Sequence, residues 1–205
     1  MGILVTVNDL ELRAYEPQEG ESKPAPGSLA LVQRFINTLQ LEDGQDRLRT
    51  ESLAAQWLAE CAGLPEPVSS SDIGRLVATR EALRDLLEAH TGENVDPAVN
   101  VRLQKLLGNA PLHMTLTASG ATLGCDCGGV DQFLGMVSSA IIQSTLLGTW
   151  TRLKICRSST CRWAYYDHSK NGSGAWCSMR SCGSREKARA YRARRRAGSA
   201  HTHSA

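Results

Sequence analysis

Four cysteines, Cys156, Cys161, Cys177 and Cys182, follow the spacing C-x4-C-x15-C-x4-C. Two close pairs separated by a short span can bring four thiolates to the corners of a tetrahedron, the arrangement a structural zinc ion accepts. A segment this small has too few apolar residues to close a core of its own, so a bound metal would be its main organiser. His168 lies between the pairs, and His201 and His203 follow them. The equal x4 spacings nevertheless point to an all-cysteine shell holding one structural zinc per chain. Such a shell leaves no coordination position for a catalytic water, and no Ser/His/Asp or Cys/His set is legible elsewhere, so an enzyme is not expected.

Directly after Cys182 the chain becomes strongly basic. Residues 152–196 carry 13 Lys+Arg against 2 Asp+Glu, whereas residues 1–151 carry 10 against 19, so the overall +2 divides into +11 and −9. The acidic part would repel a polyanion and the basic part would attract one. Read as a helix, Arg185, Arg189, Arg192 and Arg196 recur at i, i+4, i+7 and i+11 and form one stripe. Arg180, Lys187, Arg194 and Arg195 extend the charge, and Glu186 alone offsets it. A helix meant only for solubility would mix signs, so these residues are expected to contact nucleic acid, with double-stranded DNA as partner. Arg185, beside the last cysteine, is the candidate for a base contact. Ala188 and Tyr191 lie on an adjacent face that can pack on the metal segment.

Between the cysteine pairs, Trp163, Tyr165 and Asp167 alternate with Ala164, Tyr166 and His168, and Asn171-Gly172 offers a turn towards Trp176. A small hairpin is therefore expected between the pairs. Trp163 and Trp176 are expected to pack over the metal. Tyr165 and Tyr166 would face opposite ways, so that at most one belongs to a core.

The preceding region reads as mostly helical. Prolines and glycines at 16–28 mark a loop after a short strand, then Leu29, Val32, Ile36 and Leu39 give a helical stripe with Ser28 as its cap. Further helices are expected over 51–61, from Ser71-Asp72 to about His90, and from Asp96-Pro97 onward. The period then changes to two over 112–116 and 121–125, a β-hairpin around Ser119-Gly120, before a long apolar helix over 130–147. Cys61, Cys125 and Cys127 read as free thiols, because Cys125-Asp126-Cys127 is not a C-x-x-C motif and has no second pair nearby. Asn37, Arg80 and Arg84 stand beside apolar stripes, where an amide and two guanidiniums could hold a small polar effector. Glu81, Asp85 and Glu88 on the same helix make solvated ion pairs the plainer expectation for the two arginines. No apolar run reaches membrane-spanning length and residues 1–9 lack a signal-peptide pattern, so a cytoplasmic protein without a membrane partner is expected.

Cys161-Arg162-Trp163, Asp167, Trp176-Cys177-Ser178-Met179 and Cys182-Gly183-Ser184-Arg185 together resemble the CGNR zinc-finger family, bacterial proteins linked to stress-induced transcription regulation. Ser184 stands where the signature has asparagine, and Gly174-Ala175 stand where arginines are frequent. Leu29-Ala30-Leu31, Phe35-Ile36-Asn37-Thr38-Leu39, Arg47-Leu48-Arg49-Thr50, Trp57-Leu58 and Arg80-Glu81-Ala82-Leu83-Arg84 resemble the ABATE domain that precedes the finger in that family. The resemblance implies a mostly α sensor or dimerisation domain with a small β-hairpin over 1–150. A zinc finger with its basic helix would follow over 151–197, and a disordered tail over 198–205. The expected function is a zinc-dependent, DNA-binding transcriptional regulator, with a small effector or a second copy of the chain as further partners. Two alternatives stay open: a zinc-bearing RNA- or ribosome-associated protein, since the basic stripe also suits an A-form helix, and an enzyme carrying the finger as an appendage.

Overall fold

The computed structural model describes residues 23–108, 110–118 and 120–201, with side chains as far as Arg195. The strand expected ahead of the 16–28 loop lies outside them. Helix α1 (Leu29–Ile36) buries Leu29, Leu31, Val32, Phe35 and Ile36. It stops sooner than its apolar stripe predicts because the chain turns at Asn37 into a short antiparallel hairpin, β1 (Leu39–Gln40) against β2 (Gln45–Asp46). Ser28 does not cap α1; its hydroxyl donates to Gln143 Oε1 at 3.0 Å, tying the helix start to a later element.

Helix α2 (Glu51–Ala62) is capped by Thr50, whose Oγ1 accepts the Leu53 N–H, and ends at Gly63. Helix α3 (Ser70–Glu88) opens with a capping box in which Ser69 is the cap and Asp72 the returning acid, two residues before the expected start at Ser71. A single 3₁₀ turn (Ala89–Thr91) follows it, and α4 (Ala98–Leu107) starts after Asp96, whose Oδ1 accepts the Ala98 N–H at 2.9 Å. The expected hairpin is β3 (His113–Thr117) against β4 (Gly120–Gly124), with His113 opposite Gly124. Helix α5 (Gly129–Leu146) then crosses the core. Phe35, Trp57 and Phe133, from three different helices, meet with ring centroids 5.0–6.0 Å apart in tilted and edge-on contacts. No helix among the described residues is long and apolar enough to cross a membrane.

The cysteines outside the tetrad divide. Cys61 is buried as expected, and burial pushes its thiol up to about 11, so it behaves as a small apolar side chain. Cys125 and Cys127 are not free thiols: the turn at exposed Asp126 sets their Cα atoms 5.3 Å apart, and they are joined as a disulfide.

The main departure from expectation lies where the chain enters the cysteine segment. Strands β5 (Leu153–Ile155) and β6 (Ala164–Tyr166) pair antiparallel, with Leu153 opposite Tyr166. The hairpin thus encloses the first cysteine pair instead of lying between the two pairs, because Cys156 and Cys161 themselves form its loop. Leu153, Ile155, Ala164 and Tyr166 join the same apolar cluster as α1, α3 and α5, whereas Tyr165 joins a second cluster with Cys156, Cys161 and Cys182. Both tyrosines are core residues, since β6 is sandwiched and has no solvent face. The division expected at residue 150 does not divide the core.

His90, in the 3₁₀ turn after α3, reinforces this junction. Its Nδ1 donates to the Leu153 carbonyl at 2.8 Å, and its ring meets Trp150 edge-on at 5.3 Å. Burial lowers its pKa, which keeps the ring neutral with Nδ1 protonated.

Leu153→Ala should therefore destabilise the whole chain by about 2–5 kcal/mol, in one denaturant transition seen alike by helical circular dichroism and tryptophan fluorescence. Two separate transitions, with the helical signal unmoved by the substitution, would contradict the shared core.

Candidate metal centre and basic helix

The β5–β6 loop is a tight knuckle. The Cys156 N–H donates to the Trp163 carbonyl at 2.9 Å, closing the loop, and the Cys161 and Arg162 N–H groups both donate to the Ser158 carbonyl. Arg162 adopts φ 48°, the left-handed region that side chains other than glycine rarely enter. That turn sends its guanidinium to Asp85 (2.9 Å) and Glu88 (2.8 Å) on α3, so the strained residue is also the clamp that seats the knuckle on the helical part.

The second cysteine pair is brought over the knuckle by a loop fixed from beneath. Lys154, central in β5, and Asp167, just after β6, are both buried and pair at 2.9 Å. Lys154 Nζ also donates to the Gly172 and Gly174 carbonyls, and Asp167 accepts from the Ser169 and Gly174 N–H groups at 3.0 and 2.7 Å. Tyr165 adds a 2.7 Å hydroxyl bond to the Gly174 carbonyl. Burial alone would push the Asp167 carboxyl up, but Lys154 and these donors hold it well below the usual carboxylate range. A Cβ on Gly174 would stand 2.9 Å from the Asp167 carboxylate, which explains a glycine at this position.

All four Sγ atoms, Cys156, Cys161, Cys177 and Cys182, lie within 4.8 Å of one another. The Cys161–Cys177 and Cys177–Cys182 separations are 3.7 and 3.6 Å. Four sulfurs each about 2.3 Å from a tetrahedral zinc stand about 3.8 Å apart, so the cluster fits that ion. Its charge chemistry points the same way. Hydrogen bonds from Cys161 and Cys177 pull Cys156 down to about 2, while the bond to Cys156 pushes Cys161 up to about 12 and Cys177 is likewise raised. Four thiolates packed this closely repel one another unless a cation stands among them. Trp163 and Trp176 pack against it as expected. His168 is not a ligand, since its Nε2 lies 3.0 Å from the Pro24 carbonyl.

Cys182 sits in a π-turn (Met179–Gly183) that runs directly into helix α6 (Ser184–His201). A Cβ on Gly183 would stand 2.9 Å from Met179 Sδ and 3.2 Å from Trp176 Cδ1, so this glycine lets the helix start press on the tryptophan. Ser184, in the place of the signature asparagine, is exposed and its hydroxyl donates to the Met179 carbonyl at 2.9 Å. Helix α6 continues through His201, so residues 198–201 extend the helix where a tail was expected; no proline interrupts them, and residues 202–205 lie outside the described residues.

The basic residues do not share one environment. Arg185 is drawn back onto the protein, pairing with Glu42 of the β1–β2 loop and approaching Cys182 Sγ at 3.3 Å. Arg189 pairs with Glu186 at 3.1 Å, and Glu186 Oε1 in turn accepts from Ser158 Oγ of the knuckle at 3.4 Å. Lys187, Arg192, Arg194 and Arg195 are exposed, as is Arg180 in the π-turn. Tyr191 is 56% exposed and does not pack on the finger; the helix has left the protein body by that point, and only Ala188 of the expected pair is half-buried. The side chain of Arg196 lies outside the described residues.

Asn37, Arg80 and Arg84 serve the fold. Asn37 Oδ1 accepts the Ala164 N–H at 2.8 Å and its Nδ2 donates to the Ala164 carbonyl at 2.9 Å, so one side chain replaces a neighbouring strand for β6. The two arginines are buried to 2% and 1% exposure, which overturns the expectation of solvated ion pairs. Arg80 grips Asp46 with both terminal nitrogens (2.7 and 3.0 Å) and Glu81 with Nε, while Arg84 holds Glu81 and the Ile36 carbonyl. Asp46, the counterion of Arg80, comes from β2, a strand too short to register as a pattern. Lys154, Arg162, Asp85 and Glu88 were equally invisible as site residues, because a charge inside a sandwiched strand and a clamp made by a left-handed turn leave no periodic signal.

Two family models match. Residues 29–131 match ABATE, whose description reads "Putative stress-induced transcription regulator", and residues 152–195 match the CGNR zinc finger. No curated protein matches the chain.

Purified protein should carry about one zinc per chain, measured by elemental analysis, and cobalt should replace it with the visible spectrum of a tetrahedral thiolate site. Cys156→Ser or Cys182→Ser should lose the metal; stoichiometric zinc in the variant with all four cysteines changed to serine would exclude this site. Lys154→Met leaves Asp167 buried and unpaired, and should cost about 3–5 kcal/mol at pH 7. Because folding depresses the Asp167 pKa, that contribution is present above the ordinary aspartate value of about 3.9 and is lost as pH falls through the depressed value. Denaturant unfolding of both proteins from pH 7 down to pH 2 should show the gap narrowing once pH falls below about 3.9.

Proposed function

The chain belongs to the ABATE family and carries a CGNR zinc finger, and from that premise we propose that it is a zinc-dependent transcription regulator that binds double-stranded DNA through α6. The observation that carries this reading is a cationic helix anchored at one end and solvent-exposed along most of the rest. Its first turn is fixed by Cys182 and by Arg185 on Glu42, whereas Lys187, Arg192, Arg194 and Arg195 stand exposed beyond it. An 18-residue helix is about 27 Å long, enough to lie along a major groove about 12 Å wide.

In this mechanism zinc sets the direction of the helix and takes no part in chemistry, since four protein thiolates would fill its coordination shell. Exposed guanidiniums then displace counterions from the phosphate backbone. Arg185, occupied by Glu42, positions the helix instead of reading a base. The helical part receives the signal, and its rigid attachment to the finger carries that signal to α6. No catalytic step is involved.

Alanine at Arg192 or Arg194 should weaken binding to specific and scrambled duplexes alike and lower the salt slope by about one unit each. Fluorescence-anisotropy salt titrations of zinc-loaded protein would measure this. Wild-type affinity and slope in an Arg192→Ala/Arg194→Ala/Arg195→Ala variant would reduce α6 to a solvated surface, and tighter binding to structured RNA than to duplex DNA would favour the RNA-associated alternative.

A further inference from the structure

A cleft beside the β1–β2 hairpin holds basic groups that neither the metal centre nor α6 uses. It encloses about 260 Å³ between the hairpin and the first turn of α2. Its lining is polar, with Asn37, Thr38, Gln40, Gln45, Asp46, Arg47 and Arg49 around a single apolar side chain, Leu53. The volume lies below the roughly 300–1,000 Å³ of sites that take drug-sized ligands, which selects a compact occupant. The lining selects a polar one.

The sign of its charge follows from where the nearby carboxylates are spent. Asp46 is held by both terminal nitrogens of buried Arg80, Glu81 is shared by Arg80 and Arg84, and Glu42 is taken by Arg185. Asp43 Oδ1 accepts the Gln45 N–H within the hairpin turn, and Glu51 accepts the Ser70 hydroxyl. Arg47 and Arg49 are exposed at the mouth and engage none of these carboxylates. Arg80 holds the lining residues Thr38 and Asp46, so the Asp46 carboxylate is matched by a buried guanidinium and not by Arg47 or Arg49. Arg47 and Arg49 lie within the acidic half of the chain, where residues 1–151 carry 10 Lys+Arg against 19 Asp+Glu. An arginine guanidinium suits a carboxylate or phosphate group bidentately, and the lining carries two, Arg47 and Arg49, with the amides of Gln40 and Gln45 as further donors.

We propose that this cleft binds a small anionic ligand carrying a carboxylate or phosphate group, clamped by Arg47 and Arg49. Its purpose as an effector site rests on the regulator reading above, but its occupancy can be measured without DNA. Titration calorimetry of the zinc-loaded full chain at low ionic strength, with inorganic phosphate in one arm and succinate in the other, tests it. One arm should show saturable binding at one site per chain, and which arm it is distinguishes the two sources of the group. Arg47→Gln/Arg49→Gln should weaken that binding at least tenfold. Both side chains are exposed, and an unchanged unfolding midpoint would verify the fold; Arg49→Lys, which keeps the charge but loses the fork, should weaken it less. Arg192→Ala/Arg194→Ala should leave it unchanged. No saturable binding in either arm, undiminished binding in the Arg47/Arg49 variant, or loss in the α6 variant would overturn the assignment, and none of these results depends on whether the chain binds DNA.

Discussion

A strand of three residues, Ala164–Tyr166, is enclosed on every side, and the rest of the molecule is arranged around that enclosure. One edge pairs with β5. The other is satisfied by the Lys23 carbonyl, which accepts the Tyr166 N–H at 3.0 Å, and by the amides of Gln33 and Asn37, which reach the Ala164 backbone. One face is helical core and the other is the cysteine cluster. An exposed edge with this much apolar character would invite pairing with another chain, and a buried one without partners would leave amides unsatisfied. Side-chain amides from α1 solve both problems, which is why Asn37 stands where α1 ends.

Charge is used in the same way. Lys154–Asp167, Arg80–Asp46 with Glu81, and Arg162 with Asp85 and Glu88 are ionic contacts at least one partner of which is buried or half-buried. Such pairs add little net stability relative to apolar packing, but breaking one leaves an uncompensated charge. Their effect is to penalise every arrangement in which the loop 167–174, the β1–β2 hairpin or the knuckle shifts out of register. The four cysteines are thereby held in place by contacts that lie outside the cluster itself.

The features legible in the sequence were those with a period or a fixed spacing. Equal x4 gaps identified the cysteine tetrad, the period-two stretch around Ser119-Gly120 located the β3–β4 hairpin, and apolar stripes located the helices to within a few residues. The illegible ones depended on partners far away along the chain. Two residues per strand in β1 and β2 and three in β5 and β6 are too few to show alternation. Arg80 looks solvated until Asp46 is placed over it, 34 residues away. Arg185 looks like the leading edge of a binding stripe until Glu42, 143 residues away, takes it up.

The connection from α5 into β5 is short: α5 ends at Leu146, one 3₁₀ turn covers Trp150–Arg152, and β5 begins at Leu153. Arg152 within it is anchored by the Asp167 and Ser169 carbonyls at 2.9 and 2.8 Å. The chain thus has no slack where two family segments meet, and the finger cannot behave as a bead on a string. Grafting it onto another protein, or inserting a flexible spacer before it, would strip β6 of its amide partners and expose Tyr166. Exchanging the finger or the helical part alone would therefore part the Ala164 backbone from Gln33 and Asn37, the two side chains that complete its hydrogen bonding.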